Sequence, residues 1–143
     1  MQISSRFTIA IHMLLAIDTF KDEYKVTSDL LASSINVNPV IIRNILGQLR
    51  KYDLIETQRG SGGTIIKKPL NEITLLDVYN AVESVNNDSL FHFHENPNLN
   101  CPVGKNIHNV LDQKLQDIQK AMEEEMKKTT IEDLKNSLQK FLN

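Results

Sequence analysis

Between residues 27 and 52 the chain carries two helix signatures separated by a single sharp turning point, and no other stretch constrains the fold as strongly. Thr27 is a good N-cap for a short helix over residues 28–34 that buries Leu31 and Ala32. Asn36 stands where the chain must reverse, and asparagine tolerates the left-handed conformation better than most residues. Asn38 and Pro39 form a second helix start, a cap followed by proline at the first helical position. That helix runs to about residue 52, with Ile42, Ile45, Leu46 and Leu49 inward. The small side chain of Ala32 lets the two helices cross closely. A short helix, a tight turn and a second helix with outward polar residues make a helix-turn-helix.

The next stretch is rich in glycine: Arg59, Gly60, Ser61, Gly62 and Gly63, ahead of Thr64, Ile65, Ile66, Lys67 and Lys68. A nucleotide-binding loop needs its glycines spaced by four residues and a Gly-Lys-Ser/Thr that opens a helix. Here a β-branched run comes instead, and it suits a strand. Residues 54–58 and 64–66 therefore read as two strands of a β-hairpin, with the glycines supplying the positive φ of its tip. A helix-turn-helix continued at once by such a hairpin is a winged helix.

The remaining segments are helical, apart from one. Residues 5–20 read as a helix capped by Ser4 or Ser5, with Phe7, Ala10, Ile11, Leu14 and Ile17 on one face. Residues 71–74 cap another over 75–85, with Leu76, Val78, Tyr79 and Val82 apolar. Residues 86–100 have no apolar period and are rich in Asn, Pro and His, and a loop of that length in a compact chain is commonly functional. Pro102 opens a long helix to about residue 128, on which Val103, Ile107, Val110, Leu111, Leu115, Ile118, Met122 and Met126 trace one face. A last helix spans 131–142. A helix of roughly 25 residues reaches close to 40 Å, more than a small winged helix can cover. Its surplus apolar stripe points to a second copy of the chain, in keeping with the symmetric dimers usual for helix-turn-helix readers. The expected organisation is mainly α. Residues 1–85 form a winged helix-turn-helix of three helices plus a β-hairpin wing, 86–102 an effector loop, and 103–143 the dimerisation helix with a C-terminal helix.

Composition excludes several classes. Of 143 residues, 41% are hydrophobic, enough for a core and against global disorder. No apolar run approaches the roughly 18–20 residues of a membrane span. The first residues lack the charged front and cleavage site of a signal peptide. The one cysteine, Cys101, cannot form an internal disulfide, so a soluble protein of the reducing cytoplasm is expected. The net charge of −2 hides an asymmetry. Residues 1–70 hold nine Lys/Arg against six Asp/Glu, and residues 71–143 hold seven against twelve. A polyanion would meet the front half.

Double-stranded DNA is the polyanion that this arrangement suits. Asn38, Val40, Ile41, Arg43 and Asn44 lie outward near the start of the second helix-turn-helix helix. Arginine pairs with guanine, asparagine with adenine, and an aliphatic side chain with the thymine methyl. Arg50, Lys51, Arg59, Lys67 and Lys68 can neutralise phosphates, and the bare amides of Gly60, Gly62 and Gly63 can approach them closely. Cys101 precedes Pro102 at the mouth of the long helix, where the dipole and free amides favour a thiolate, with Lys105 four residues on. That makes it a candidate thiol for sensing oxidants or electrophiles. His92, His94, Glu95, Cys101 and His108 lie close enough in sequence to suggest a metal, with His12 on the first helix, but they match no recognised ligand spacing. Cys101 with one of these histidines is the sole conceivable catalytic set, and the reading is not an enzyme.

Two motifs resemble a known family. Residues 49–55 (LRKYDLI) and 58–63 (QRGSGG) are similar to the LRKxGLV…RGxGGG core of the Rrf2 family of bacterial winged-helix regulators. Ser5, Arg6 and Ala10, and the run of Thr74, Leu75, Asp77 and Val78, match as well, so the resemblance covers nearly the whole chain. It implies DNA contacts at Ser5 and Arg6, along residues 38–44, and at Arg59, Gly60, Ser61, Gly62 and Gly63. Cluster-binding members carry three cysteines between the fourth helix and the long one. Cys101 matches the last, while Ser89 and Glu95 fall at the others, and Gly104 replaces a ligating histidine. The resemblance is therefore to the YwnA-type, cluster-free subgroup, with no cofactor and with thiol or small-molecule sensing. The resulting expectation is a homodimeric repressor whose operator binding responds near Cys101. The alternatives beside it are a winged-helix module that contacts proteins without reading DNA, and a metal- or iron–sulfur-dependent regulator.

Overall fold

The computed structural model describes residues 3–60, 63–83, 90–91 and 93–142. In chain order it has α1 (Ser5–Phe20), α2 (Ser28–Ile35), α3 (Pro39–Lys51), β1 (Ile55–Gln58), β2 (Gly63–Ile66), a 3-10 turn (Leu70–Glu72), α4 (Leu75–Glu83), α5 (Pro102–Lys127) and α6 (Ile131–Leu142). The mainly α, winged-helix expectation holds. β1 and β2 pair antiparallel with Ile55 opposite Ile66 and Gln58 opposite Gly63. The strands begin at Ile55 and Gly63, one residue inside and one outside the expected spans.

Local chemistry sets the ends of each element. Ser4 caps α1 by accepting from the Arg6 amide at 3.2 Å, and Thr27 caps α2 by accepting from Leu30 at 3.1 Å. Asn36 adopts the left-handed conformation at φ 63°, and its amide closes α2 onto the Ala32 carbonyl at 2.8 Å. α3 ends in a Schellman turn. Asp53 N–H donates to Arg50 O at 2.9 Å and Leu54 N–H to Leu49 O at 3.1 Å, with Asp53 left-handed at φ 59°. Asp53 occupies the glycine position of the LRKxGLV motif, and this is the conformation that favours glycine there.

The core gathers Leu31 and Ala32 of α2, all four inward residues of α3, Leu54 and Ile55, Ile73, Val78 and Val82, and Ala10, Leu14 and Ile17 of α1. α1 is buried more broadly than one face, because Met13 and Ala16 are also inside. It lies among α2, α3, β2, α4 and α6, so its flanks meet different neighbours. Asp18 is buried too, paired with Lys21 at 3.3 Å and with Lys135 of α6 at 3.1 Å. α6 returns to this core through fully buried Ile131, whose amide donates to the Ile73 carbonyl at 2.8 Å. Reciprocal caps flank that contact. Thr74 and Asp77 exchange bonds of 3.0 and 3.1 Å, and Thr130 and Asp133 exchange bonds of 2.9 and 3.1 Å.

α5 is different. None of its 26 residues is buried, and Val103, Val110 and Ile118 are 69%, 67% and 53% exposed. Among the described residues, no helix is long and apolar enough to cross a membrane.

Candidate nucleic-acid interface

α3 buries one face and offers the other. Ile42, Ile45 and Leu49 have no exposure, while Asn38, Val40, Ile41, Arg43, Asn44, Arg50 and Lys51 are all exposed. Burial of the inward residues fixes the helix axis, so the outward side chains are presented from a rigid element. Asn38 is partly committed, because its side-chain oxygen caps the helix by accepting from Val40 N–H at 2.8 Å. Its amide NH2 remains for other contacts.

The wing stands beside this face. Arg50 Nη1 donates to Thr57 Oγ1 at 2.8 Å, which ties the end of α3 to β1. Arg59 and Gly60 are exposed at the tip, while Ser61 and Gly62 lie outside the described residues. Gly63 has to be glycine for two reasons. Its φ is +70°, and a Cβ there would stand 2.9 Å from both the nitrogen and the oxygen of Val26. That close approach lets Thr64 N–H donate to the Val26 carbonyl at 3.0 Å, which pins the wing to the start of α2. Lys67 and Lys68, read from sequence as able to neutralise phosphates, form exposed ion pairs with Asp53 at 3.2 Å and Asp77 at 3.6 Å. Both brace the base of the wing.

Between α2, α3 and the wing lies a cleft of about 360 Å³ lined by Lys25, Thr27, Ser28, Arg43, Arg50, Thr57, Gln58 and Gly60, among others. Sequence reasoning missed Lys25 and Thr57 as parts of this surface. Lys25 sits in a polar loop with no periodicity, and only the crossing of the wing over Val26 brings it to the cleft. Ser5, exposed, and Arg6, half-buried, lie at the first turn of α1. Arg6 Nη2 donates to Gln48 Oε1, so this turn is joined to α3.

A second cluster surrounds the start of α5. Cys101 is its N-cap residue, and Cys101 N–H donates to Asn98 O at 3.2 Å. Its side chain makes no capping hydrogen bond. The amides of Gly104 and then Val103 nonetheless hold its pKa below that of an ordinary thiol, against a smaller opposing effect of desolvation. These amides, rather than Lys105, are the cause. Nearby, Phe93 stacks on His108 at 3.9 Å and on His94 at 4.8 Å, and His108 Nδ1 lies 3.0 Å from Asp112. His12 is elsewhere, bonded to Ser34 at 3.3 Å. His92 and Ser89 lie outside the described residues.

Residues 3–137 match the family described as Rrf2, "Iron-dependent Transcriptional regulator". The "Putative HTH-type transcriptional regulator YwnA" of Bacillus subtilis strain 168 is 42% identical over 136 residues, which is 95% of this chain and 98% of that protein. A solved structure titled "putative DNA binding protein" is 35% identical with a TM-score of 0.72, covering 91% of this chain and 98% of its own. A "putative transcriptional regulator" from Lactobacillus plantarum is 28% identical with a TM-score of 0.79, covering 96% and 91%.

The family description implies iron, and the donor set can be tested against it. Cys101 is the sole thiol, and among the described residues no three His, Cys, Asp or Glu side chains are placed to hold a metal. At Gly104 a Cβ would stand 2.4 Å from the Asn98 carbonyl oxygen, so this loop path closes the position to any ligating side chain. The described residues do not fit an iron–sulfur cluster. What remains is a rigid, exposed helix face beside a glycine-tipped wing, in a chain that matches one family almost from end to end. This chain therefore belongs to the Rrf2 family, as a DNA-binding helix-turn-helix transcriptional regulator and not an enzyme.

Proposed function

We propose that the chain is a homodimeric repressor acting in the cytoplasm, which binds a pseudo-palindromic operator with α3 and the wing. In this reading residues 1–85 read DNA, 86–102 receive the signal and 103–143 carry the dimer contact. The observation that carries it is the division of α3 into a fully buried face and a face on which Val40, Ile41, Arg43 and Asn44 stand clear in solvent. Those residue types match the donor, acceptor and methyl pattern of the major groove, and Arg59 with Gly60 sits where a flanking backbone would pass. The dimer is supported by α5, on which an apolar stripe runs with no buried residue. A two-fold related copy covers such a stripe and sets two recognition helices one DNA turn apart.

The signal is assigned to Cys101. A thiol held toward thiolate by helix amides, and partly exposed, reacts readily with peroxide or an electrophile. The added bulk or charge at the cap of α5 then changes how the two wings are set. A small ligand acting at the same segment is the second form of this response, supported by the slot of about 220 Å³ between Phe91, Phe93, His108 and Asp112.

The test is a mobility-shift titration with duplexes selected from a random pool, repeated over a range of NaCl concentrations. The expectation is a retained, sequence-selective complex that weakens steeply with salt. Failure to retain any duplex supports the protein-contact module instead. Hydrogen peroxide is expected to release the wild-type protein and leave Cys101→Ser bound. Equal release of both removes Cys101 from the response.

A further inference from the structure

The first turn of α1 is joined to two other parts of the molecule by side chains that serve no core. On one side Ser4 Oγ donates to Glu83 Oε1 at 2.5 Å, across 79 residues of sequence. On the other, Arg6 Nη2 donates to Gln48 Oε1 on the recognition helix. Phe7, the next residue, meets the edge of Tyr79 with ring centroids 6.1 Å apart and an interplanar angle of 81°. Glu83 is the last residue of α4, and Tyr79 lies one turn before it. The turn that carries Ser4, Arg6 and Phe7 is thus clamped between the end of α4 and the face of α3.

We propose that Glu83 is a positioning residue for DNA binding: by holding Ser4 it sets the first turn of α1, and with it the pose of Arg6 against Gln48 beside the recognition helix. Ser4 also accepts from the Arg6 amide at 3.2 Å, so the hydroxyl that Glu83 holds is the one that starts the helix bearing Arg6. Arginine has a long side chain with several rotamers. Its contribution at a phosphate depends on how much of that freedom has already been removed before DNA arrives. Gln48 removes part of it, and Glu83 keeps the backbone under Arg6 where Gln48 can reach. The acid also lies at the end of the helix that leads into the effector segment, so a shift of α4 reaches the Arg6 amide through two hydrogen bonds that share the Ser4 hydroxyl. Burial first, then the charges of Glu83 and of Glu123 on α5, raise the pKa of Tyr79. This proposal rests on the DNA-binding role of Arg6.

Electrostatics alone predicts the opposite result for the obvious variant, which makes the idea testable. Removing a carboxylate makes the protein less negative and strengthens attraction to a polyanion. Positioning predicts weaker binding. The experiment is a double-mutant cycle read by fluorescence anisotropy, with one labelled mixed-sequence duplex of fixed length at a fixed NaCl concentration. It uses the full chain as wild type, Glu83→Ala, Arg6→Ala, the double variant, and Glu83→Gln. Circular dichroism confirms that each is helical.

Glu83→Ala is expected to weaken binding about five- to tenfold in the wild-type background and less than about twofold when Arg6 is already alanine, as for residues in one network. Glu83→Gln, whose amide oxygen still accepts from Ser4, is expected to bind within about twofold of wild type or tighter. Equal losses in both backgrounds, tighter binding by Glu83→Ala, or no recovery with Gln overturns the positioning role. If wild type and Arg6→Ala bind the duplex equally, the role of Arg6 itself fails. If neither binds at any salt concentration, the DNA reading fails and takes this inference with it.

Discussion

α3 and α5 carry the same kind of sequence pattern and end in opposite states. Each is an amphipathic helix opened by proline at its first position. α3 buries four of its thirteen residues, Ile42, Ile45, Leu46 and Leu49, against its own chain. α5 is twice as long and buries none. The pattern says that a helix has an apolar face. It does not say what covers that face, and a chain can supply the cover only where its own elements reach. α3 lies inside the reach of α1, α2 and α4, whereas α5 among the helices touches chiefly α4 and projects beyond the core. Ile107, Leu111, Leu115, Met122 and Met126 are half-buried while Val103, Val110 and Ile118 stand exposed, so the chain itself covers this stripe only in part.

The largest expected effect bears on that contrast directly. Changing Leu111 and Leu115 together to glutamate should yield a folded monomer by sedimentation, with its circular dichroism retained. Operator binding should fall toward the non-specific level, a loss on the order of 4–10 kcal/mol. A double variant that still sediments as a dimer places the interface elsewhere and breaks the comparison. The counterpart in α3 is Leu49→Ala, at a site with no exposure. It should cost about 2–5 kcal/mol of stability from lost burial and the cavity left behind. That loss should appear in denaturant unfolding independently of protein concentration. A concentration-dependent loss at Leu49 would mean that α3 also depends on the partner.

Smaller effects distinguish positions within the exposed face. Arg43→Ala should relax selection at one base pair per half-site, at about 1–3 kcal/mol, measured by selection from a randomised operator. An unchanged sequence profile removes Arg43 from base reading. Arg59→Ala should weaken all duplexes alike and reduce the salt slope by about one. A loss confined to one sequence context would show instead that the wing tip reads a base.

The smallest effect concerns Cys101, at the foot of α5. Its thiol is held below the ordinary value by the Gly104 and Val103 amides. A group with a depressed pKa stays ionised as pH falls past the free-thiol value of about 8.5, and loses its charge only on passing through its own lower value. Alkylation by iodoacetamide should therefore persist below that pH in native protein and fall off earlier in the urea-unfolded chain. Coincident profiles would show that the helix start does not activate the sulfur.

Much of this was legible from residues alone, for reasons that are local. Asn36 in the left-handed turn, Pro39 and Pro102 at helix starts, Thr27 as a cap and the β-branched run after Gly63 each act through their own backbone or a neighbour within four residues. One-dimensional patterns record such interactions faithfully. The inward residues of α3 come from the same periodicity, and so does the exposure of Val40, Ile41, Arg43 and Asn44.

What the tertiary structure decided are pairings between distant residues, where no short pattern exists. Asp18 lies buried in α1, where Lys135 of the distant α6 pairs with it at 3.1 Å. Lys67 and Lys68 read as able to neutralise phosphates, and the fold adds pairs with Asp53 and Asp77 that no short pattern records. Gly63 read as a turn residue, and it is also the point where the wing passes too close to Val26 for any side chain. Gly104 read only as a missing ligand, and it is where the loop carbonyl of Asn98 lies against the helix. Sequence determines which surfaces each element must hide and where each must begin and end, because those choices depend on backbone geometry and near neighbours. Which charges remain free for DNA, and which glycines are irreplaceable, depends on how separate elements meet in space, and only the folded arrangement settles that.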